Sequence, residues 1–186
     1  MNIASINDTN NCYLQNDNRI RVEMGNVGCA TDRSSVLHTD SLTYCCALAV
    51  LSKWNGRWYQ QRTLTLLHII GGNLFFGIKS KSDRQPNHAN RWLSKLKSEL
   101  IDGGKVIFAG GIDCSSDMAL SMSIHQTDAD GQKPLQELLT TPGTEIMLAV
   151  ALGITIYPNG AVVLDSTGAR GELSYQECLS ILQDQV

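Results

Sequence analysis

The sequence predicts an α+β fold, a single-domain α/β sandwich with a mixed, mostly antiparallel sheet and flanking helices. Three observations lead there. Two apolar segments flank an Asn-Gly pair at positions 55–56, the strongest short-range hairpin signal, because Asn and Gly tolerate the positive φ of a type I′ turn. Two later segments, residues 87–101 and 174–182, carry apolar residues at helical spacing. The composition, 42% hydrophobic and 18% charged over 186 residues, suits one packed domain and excludes global disorder.

The elements follow in order. Residues 1–18 are rich in Asn, Asp, Ser and Thr and are expected to form a mobile polar segment before a domain spanning 19–186. Residues 20–24 alternate apolar with polar, as in a half-buried strand, which Gly25 and Gly28 are expected to break. Residues 41–51, SLTYCCALAVL, carry no charge and read as a mostly buried strand. Residues 62–70 return from the hairpin, and Gly71-Gly72 closes it. In the helix at 87–101, Ala89, Leu93, Leu96 and Leu100 share one face, and Gly103-Gly104 stops it. Residues 105–109 are a short buried strand entering Gly110-Gly111. The alternation of Met118, Leu120, Met122 and Ile124 predicts a further strand. Pro134 opens a short helix, and residues 145–152 fit either a buried helix or a strand. Residues 154–164 surround a second Asn-Gly pair, at 159–160, and predict another hairpin. Ser174 and Glu177 form a capping box for a last helix with Tyr175, Cys178, Leu179 and Leu182 as its apolar stripe.

Several function classes are excluded on physical grounds. With 15 Lys and Arg against 18 Asp and Glu, the net charge is −3, so no broad phosphate-binding surface is expected and no nucleic-acid partner. The longest apolar run, residues 146–157, is interrupted by Gly153 and too short to span a bilayer, so no membrane partner is expected. The amino terminus lacks a basic start followed by an apolar block, so no secretory signal is expected. Cys12, Cys29, Cys45, Cys46, Cys114 and Cys178 show no zinc-like spacing and, in this context, are expected to be reduced. No metal or organic cofactor is expected, and no phosphate-loop motif is present.

The first hairpin places two reactive groups together. A two-residue turn at Asn55-Gly56 sets Cys45 opposite Leu66 and Thr43 opposite His68, which makes Cys45 and His68 diagonal neighbours on one face, about 7–8 Å apart at Cα. Cys46 then faces the other side, and a single bulge would exchange the two cysteines. A Cys–His pair is the minimal equipment for thiol catalysis, since an adjacent imidazolium stabilises the thiolate. The competing reading is two ordinary core residues. Against it, a His buried within LTLLHII needs a polar partner.

At these residues the chain resembles a known family. Residues 39–45, Thr-Asp-Ser-Leu-Thr-Tyr-Cys, look like the Thr-x5-Cys segment of the CheD-like glutamine deamidases, a superfamily that includes the chemoreceptor glutamine deamidase, the cytotoxic necrotizing factor catalytic domain and the Burkholderia lethal factor. Leu42-Thr43-Tyr44-Cys45 is similar to the nucleophile motif, and Leu66-Leu67-His68-Ile69-Ile70 to the strand carrying the histidine. Lys105 to Gly111 looks, more weakly, like the strand and Gly-Gly that follow. Tyr44 departs from the small residue that often precedes the cysteine, and the Cys-to-His loop is longer than usual. The resemblance implies Cys45 as nucleophile, His68 as general base and acid, and Thr39 as the group orienting the imidazole, with Asp40 and Ser41 competing for that last role.

The resemblance further implies a protein-glutamine deamidase acting on a protein substrate that bears a reactive glutamine. A bacterial effector or toxin, made in the bacterial cytoplasm and delivered to a host cell, is the expected setting. The alternatives are a cysteine protease or transglutaminase using the same dyad, a chemoreceptor-type deamidase, and a non-catalytic binding domain. Among the other candidates, His38, His88 and His125 read as surface residues. Trp54, Arg57, Trp58 and Tyr59 crowd the hairpin tip, where they read equally as a partner-binding cluster or as cross-strand packing of Trp54 on Trp58.

Overall fold

A stretch of eight buried residues without a charge demands neighbours on both edges and both faces, and β5 (Cys45–Trp54) has them. The structure, a computed structural model, describes residues 12–14, 18–70, 73–75, 86–112 and 117–183. Here β5 lies between β6 (Tyr59–Ile70) and β8 (Gly104–Gly110), antiparallel to each. Beyond β8 come β9 (Thr144–Val150), parallel to it, and β12 (Gly171–Glu172); beyond β6 come β3 (Val27–Ala30) and β7 (Asn73–Phe75). This seven-stranded sheet is mixed and mostly antiparallel.

A second, five-stranded sheet differs from the expected single sheet. It runs β1 (Cys12–Leu14), β2 (Arg19–Val22), β4 (Val36–Thr39), β10 (Gly153–Ile156) and β11 (Val162–Asp165), with β2 and β4 parallel. The two sheets face each other through Cys45, Ala47, Ala49 and Leu51 of β5 on one side and Ile20, Val22, Leu37, Ile154 and Ile156 on the other. Helices cover the opposite face of the larger sheet, where Cys46, Leu48 and Val50 meet Ala89, Trp92, Leu93 and Leu96 of α1 (Pro86–Glu99) and Leu100 just after it. The fold is therefore α+β, with two stacked mixed sheets and the helices on one side. The alternation of β5 sorts its residues between these cores.

Other elements correct the expectations locally. Residues 118–124 belong to α2 (Asp117–Ile124), not a strand. Leu120 and Ile124, four residues apart, are buried while Met122 is 68% exposed, the spacing of a helix face rather than a pleat. The ambiguous residues 145–152 are largely strand β9. Thr43 and Tyr44 precede β5 rather than belonging to it. The second Asn-Gly pair sits in a five-residue loop between Ile156 and Val162. The Ser174–Glu177 capping box forms at the start of α4 (Tyr175–Gln183), but Tyr175 is exposed and Ile181 takes its place in the core. The short helix α3 (Pro134–Leu139) buries Leu135, Leu138 and Leu139. Of the amino-terminal segment, Cys12–Leu14 pairs with β2 instead of hanging free, while residues 1–11 and 15–17 lie outside the described residues, as does Gly71-Gly72.

Gly28 was expected to break a strand and instead lies within β3. A Cβ there would overlap the Cγ2 methyl of Val22, a buried side chain of the facing sheet. Valine is stiff at χ1 and cannot swing aside. Gly28→Ala should therefore lower stability by about 1–3 kcal/mol, read as a lower urea midpoint at unchanged slope.

Candidate active site

The hairpin fixes the distance between thiol and imidazole. Trp54 pairs with Tyr59, so the loop is four residues long, Asn55 to Trp58, rather than the two-residue turn expected. The Asn55 side chain stabilises this loop, its Oδ1 accepting from the backbone N–H groups of Arg57 (3.1 Å) and Trp58 (3.0 Å). Lengthening the loop shifts the register by two residues, an even number, so every side chain keeps its face. Cys45 then stands directly opposite His68 instead of Leu66. Its Sγ lies 3.7 Å from His68 Nδ1. Cys46 points into the helix-side core, as the alternation predicted.

Cys45 forms part of the wall of a cavity of about 410 Å³ between the chain at residues 21–24 and the chain at residues 39–42. The thiol itself is 1% exposed. Met24, 44% exposed, places its Sδ 3.7 Å from Cys45 Sγ and covers it. Thr39 is buried at the end of β4 and lines the same cavity. Among the described residues, no hydrogen bond joins its hydroxyl to His68. Asp40 is engaged elsewhere, accepting from Arg21 Nη2 at 2.9 Å. Burial raises its carboxyl pKa, but the hydrogen bond and charge of Arg21 outweigh that and hold it below the usual carboxylate range. Ser41 is exposed, with φ +58°.

His68 is 6% exposed and, among the described residues, its Nε2 has no partner. Burial pushes its pKa below 6.5, because charging an imidazole away from water is unfavourable. The resting pair is thus a neutral imidazole beside a thiol, not the imidazolium the sequence suggested. Met24 Sδ and His68 Nδ1 both lie within reach of the single thiol hydrogen; when it turns to Nδ1 the imidazole N–H sits on Nε2, an atom buried from solvent.

The backbone around Cys45 is tightly held. Leu42 N–H donates to Leu152 O (2.7 Å), Ile112 N–H to Leu42 O (3.3 Å) and Gly111 N–H to Cys45 O (2.9 Å). A Cβ on Gly111 would overlap the Thr43 carbonyl oxygen and stand 2.9 Å from that of Cys45. Gly111 is thus the residue that lets the strand end of β8 pass beneath the turn at Thr43–Cys45. The sequence reads Gly110-Gly111 equally as a strand-ending turn or as a place where a substrate backbone approaches closely; at Gly111 the approaching backbone is the chain's own, at Thr43 and Cys45.

The remaining candidates fall elsewhere. His38 lies on β4, with Nδ1 2.9 Å from Thr155 Oγ1. His125 is buried rather than on the surface, its Nε2 2.7 Å from Ile181 O. The side chain of His88 lies outside the described residues. Trp54 packs on Tyr59, with centroids 4.8 Å apart, rather than on Trp58. Cys29, Cys45, Cys46 and Cys178 are free thiols. Among the described residues, no cluster of three or more His, Cys, Asp or Glu is placed to hold a metal ion, and no helix is long and apolar enough to cross a membrane.

Two outcomes follow from this geometry. The folded pKa of His68 is depressed, so above about pH 6.5 both folded and unfolded states carry it neutral. As pH falls below that value the unfolded chain takes up a proton first and stability drops, levelling below the folded pKa. Urea midpoints between pH 5 and 8 should show this fall in the wild type and a smaller one in His68→Gln. Met24→Ala should uncover the thiol and raise the rate of Cys45 alkylation by iodoacetamide several-fold.

No protein-family model matches the chain, and no curated protein sequence matches it.

Proposed function

We propose that the protein is a protein-glutamine deamidase in which Cys45 is the nucleophile and His68 the general base and acid. The observation that carries this reading is the 3.7 Å approach of Cys45 Sγ to His68 Nδ1, with Cys45 in the wall of a cavity lined by both polar and apolar side chains. The likeness of residues 39–45 and 66–70 to the CheD-like deamidases supports the choice of a glutamine side chain over other acyl substrates. The virulence members of that family favour a bacterial effector delivered to a host cell and acting on a host protein.

The reaction uses the neutral pair directly. As the sulfur attacks the glutamine Cδ, His68 Nδ1 takes the thiol proton, and the carbonyl oxygen becomes an oxyanion that backbone N–H groups near Cys45 stabilise. Collapse of the tetrahedral species breaks the C–N bond. His68 returns the proton to the departing nitrogen, which leaves as ammonia. Water then attacks the thioester while His68 accepts its proton. The C–S bond breaks, the sulfur regains a proton, and the product is glutamate. Thr39, buried in the same cavity, is placed to contact the substrate amide; in this conformation it does not hold the imidazole.

Intact-mass and peptide-mass analysis of candidate host proteins tests this reading, because deamidation exchanges one amide for one acid without cutting the chain, whereas a protease yields fragments. Cys45→Ala should reduce turnover on the order of 10³-fold or more, and His68→Ala about 10²–10⁴-fold, while Cys46→Ala retains most of it. The rate should rise with pH through an apparent pKa below 6.5, since only neutral His68 accepts the proton. Full turnover by folded Cys45→Ala would overturn the assignment.

A further inference from the structure

The tip of the β5–β6 hairpin lies nine positions along β5 from Cys45, roughly 30 Å at about 3.3 Å per residue. There a second cavity of about 790 Å³ opens among three loops, with Arg33 on the first, Asn55, Arg57 and Trp58 on the second, and Tyr157 and Asn159 on the third. The polar groups facing it are almost all donors. Arg33 and Arg57 are donor-only, and among the described residues neither guanidinium has a hydrogen-bond or ion-pair partner. Asn55 Oδ1 accepts from two backbone N–H groups and Asn159 Oδ1 from that of Ala161 at 3.0 Å, so the first oxygen is filled, the second half-filled, and both NH₂ groups remain as donors.

Three carbonyl oxygens on the rim each already accept one hydrogen bond. Trp58 O accepts from Asn55 N–H, Tyr157 O from Gly160 N–H and Pro158 O from Tyr59 N–H. The neighbouring Asp32 is turned into its own loop, where Oδ1 accepts from Ser34 N–H, Ser34 Oγ and Ser35 N–H. The wall is also firmly built. Fully buried Arg62 donates to the carbonyl oxygens of Ser35 (2.7 Å) and Asp32, and its guanidinium lies 5.8 Å from the Trp58 ring centroid. It thereby joins the loop carrying Arg33 to the ring on the next loop.

We propose that this cavity binds an acidic peptide segment of a partner protein, its carboxylates on Arg33 and Arg57 and its aliphatic stems against Trp58 and Tyr157. A phosphate would favour a run of backbone N–H groups, but those of Arg57, Trp58 and Ala161 are already consumed by asparagine side chains. Donors spread over three loops suit carboxylates spaced along an extended chain. The chain's net charge of −3 opposes any general attraction for such a peptide, so binding must come from this local concentration of donors.

Fluorescein-labelled hexaglutamate, titrated with the full-length protein and followed by anisotropy, tests the proposal. Binding should weaken about tenfold or more in the double variant Arg33→Gln, Arg57→Gln and fall with added salt. Lys97→Gln removes one positive charge far from the cavity and should leave it within about twofold. Cys45→Ala should bind like the wild type, so this site stands or falls independently of the deamidase reading. No binding by the wild type at about 1 mM peptide, equal binding by the double variant, or competition by ATP but not by unlabelled hexaglutamate would overturn it.

Discussion

The pairing of β5 with β6 is the constraint on which the candidate site depends. Ten consecutive residues of β5 contribute eight that are fully buried, and burial on two faces leaves the strand no freedom to rotate or slip. A one-residue slip would carry Cys45, Ala47 and Ala49 to the helix side and force Leu48 between the sheets. The inter-sheet space is lined by alanines from three strands, Ala47, Ala49, Ala109 and Ala149, and has no room for that exchange. Packing volume, more than hairpin hydrogen bonding, therefore decides which of two adjacent thiols meets the imidazole.

The same burial shapes the chemistry. An imidazole held by apolar strands, with no carboxylate beside it among the described residues, is disfavoured as a cation, which suits the neutral general base proposed for it. The acidic group nearest in sequence to Thr39 is Asp40, whose carboxylate is directed at Arg21 and His38 on the rim. Charge is thus gathered at the cavity mouth, while Cys45 and His68 lie buried, with Met24 over the thiol. A dry floor strengthens hydrogen bonds to a developing oxyanion and makes access to the thiol a matter of side-chain movement.

The two ends of one hairpin differ in character for a simple reason. Toward Cys45 the strands run between a sheet and a helix layer; toward Trp54 they leave those layers, and Lys53 and Trp54 emerge into solvent. Arg62 is the exception, a cation buried where the strand passes under the loop at residues 32–35, with Nη1 and Nη2 donating to that loop's carbonyl oxygens while Nε is left without a partner among the described residues. Burial of a charge is tolerable only with such partners, so the loop and the hairpin tip are bound to each other. The result is a firm aromatic and cationic end opposite the apolar one.

Local patterns determined much of this protein. The uncharged run at β5, the Asn-Gly pair after it, the helical spacing of Ala89, Leu93 and Leu96, and the Ser174–Glu177 box each depend on neighbours within a few residues, and each forms close to its expected place, with β5 starting at Cys45 and the hairpin loop two residues longer. Cys45 and His68 were also legible as sharing one face of one hairpin, because an even register shift preserves sides. Only the tertiary structure decided the rest. Whether residues 118–124 coil or extend was settled by what Leu120 and Ile124 pack against. A second sheet covers Cys45 because strands distant in sequence, β2, β4 and β10, pair there. Gly28 and Gly111 matter for backbone or side chains that approach from elsewhere in the chain, and Thr39 faces the cavity without reaching the imidazole. Such features depend on contacts between distant segments, and periodicity along the chain carries no record of them.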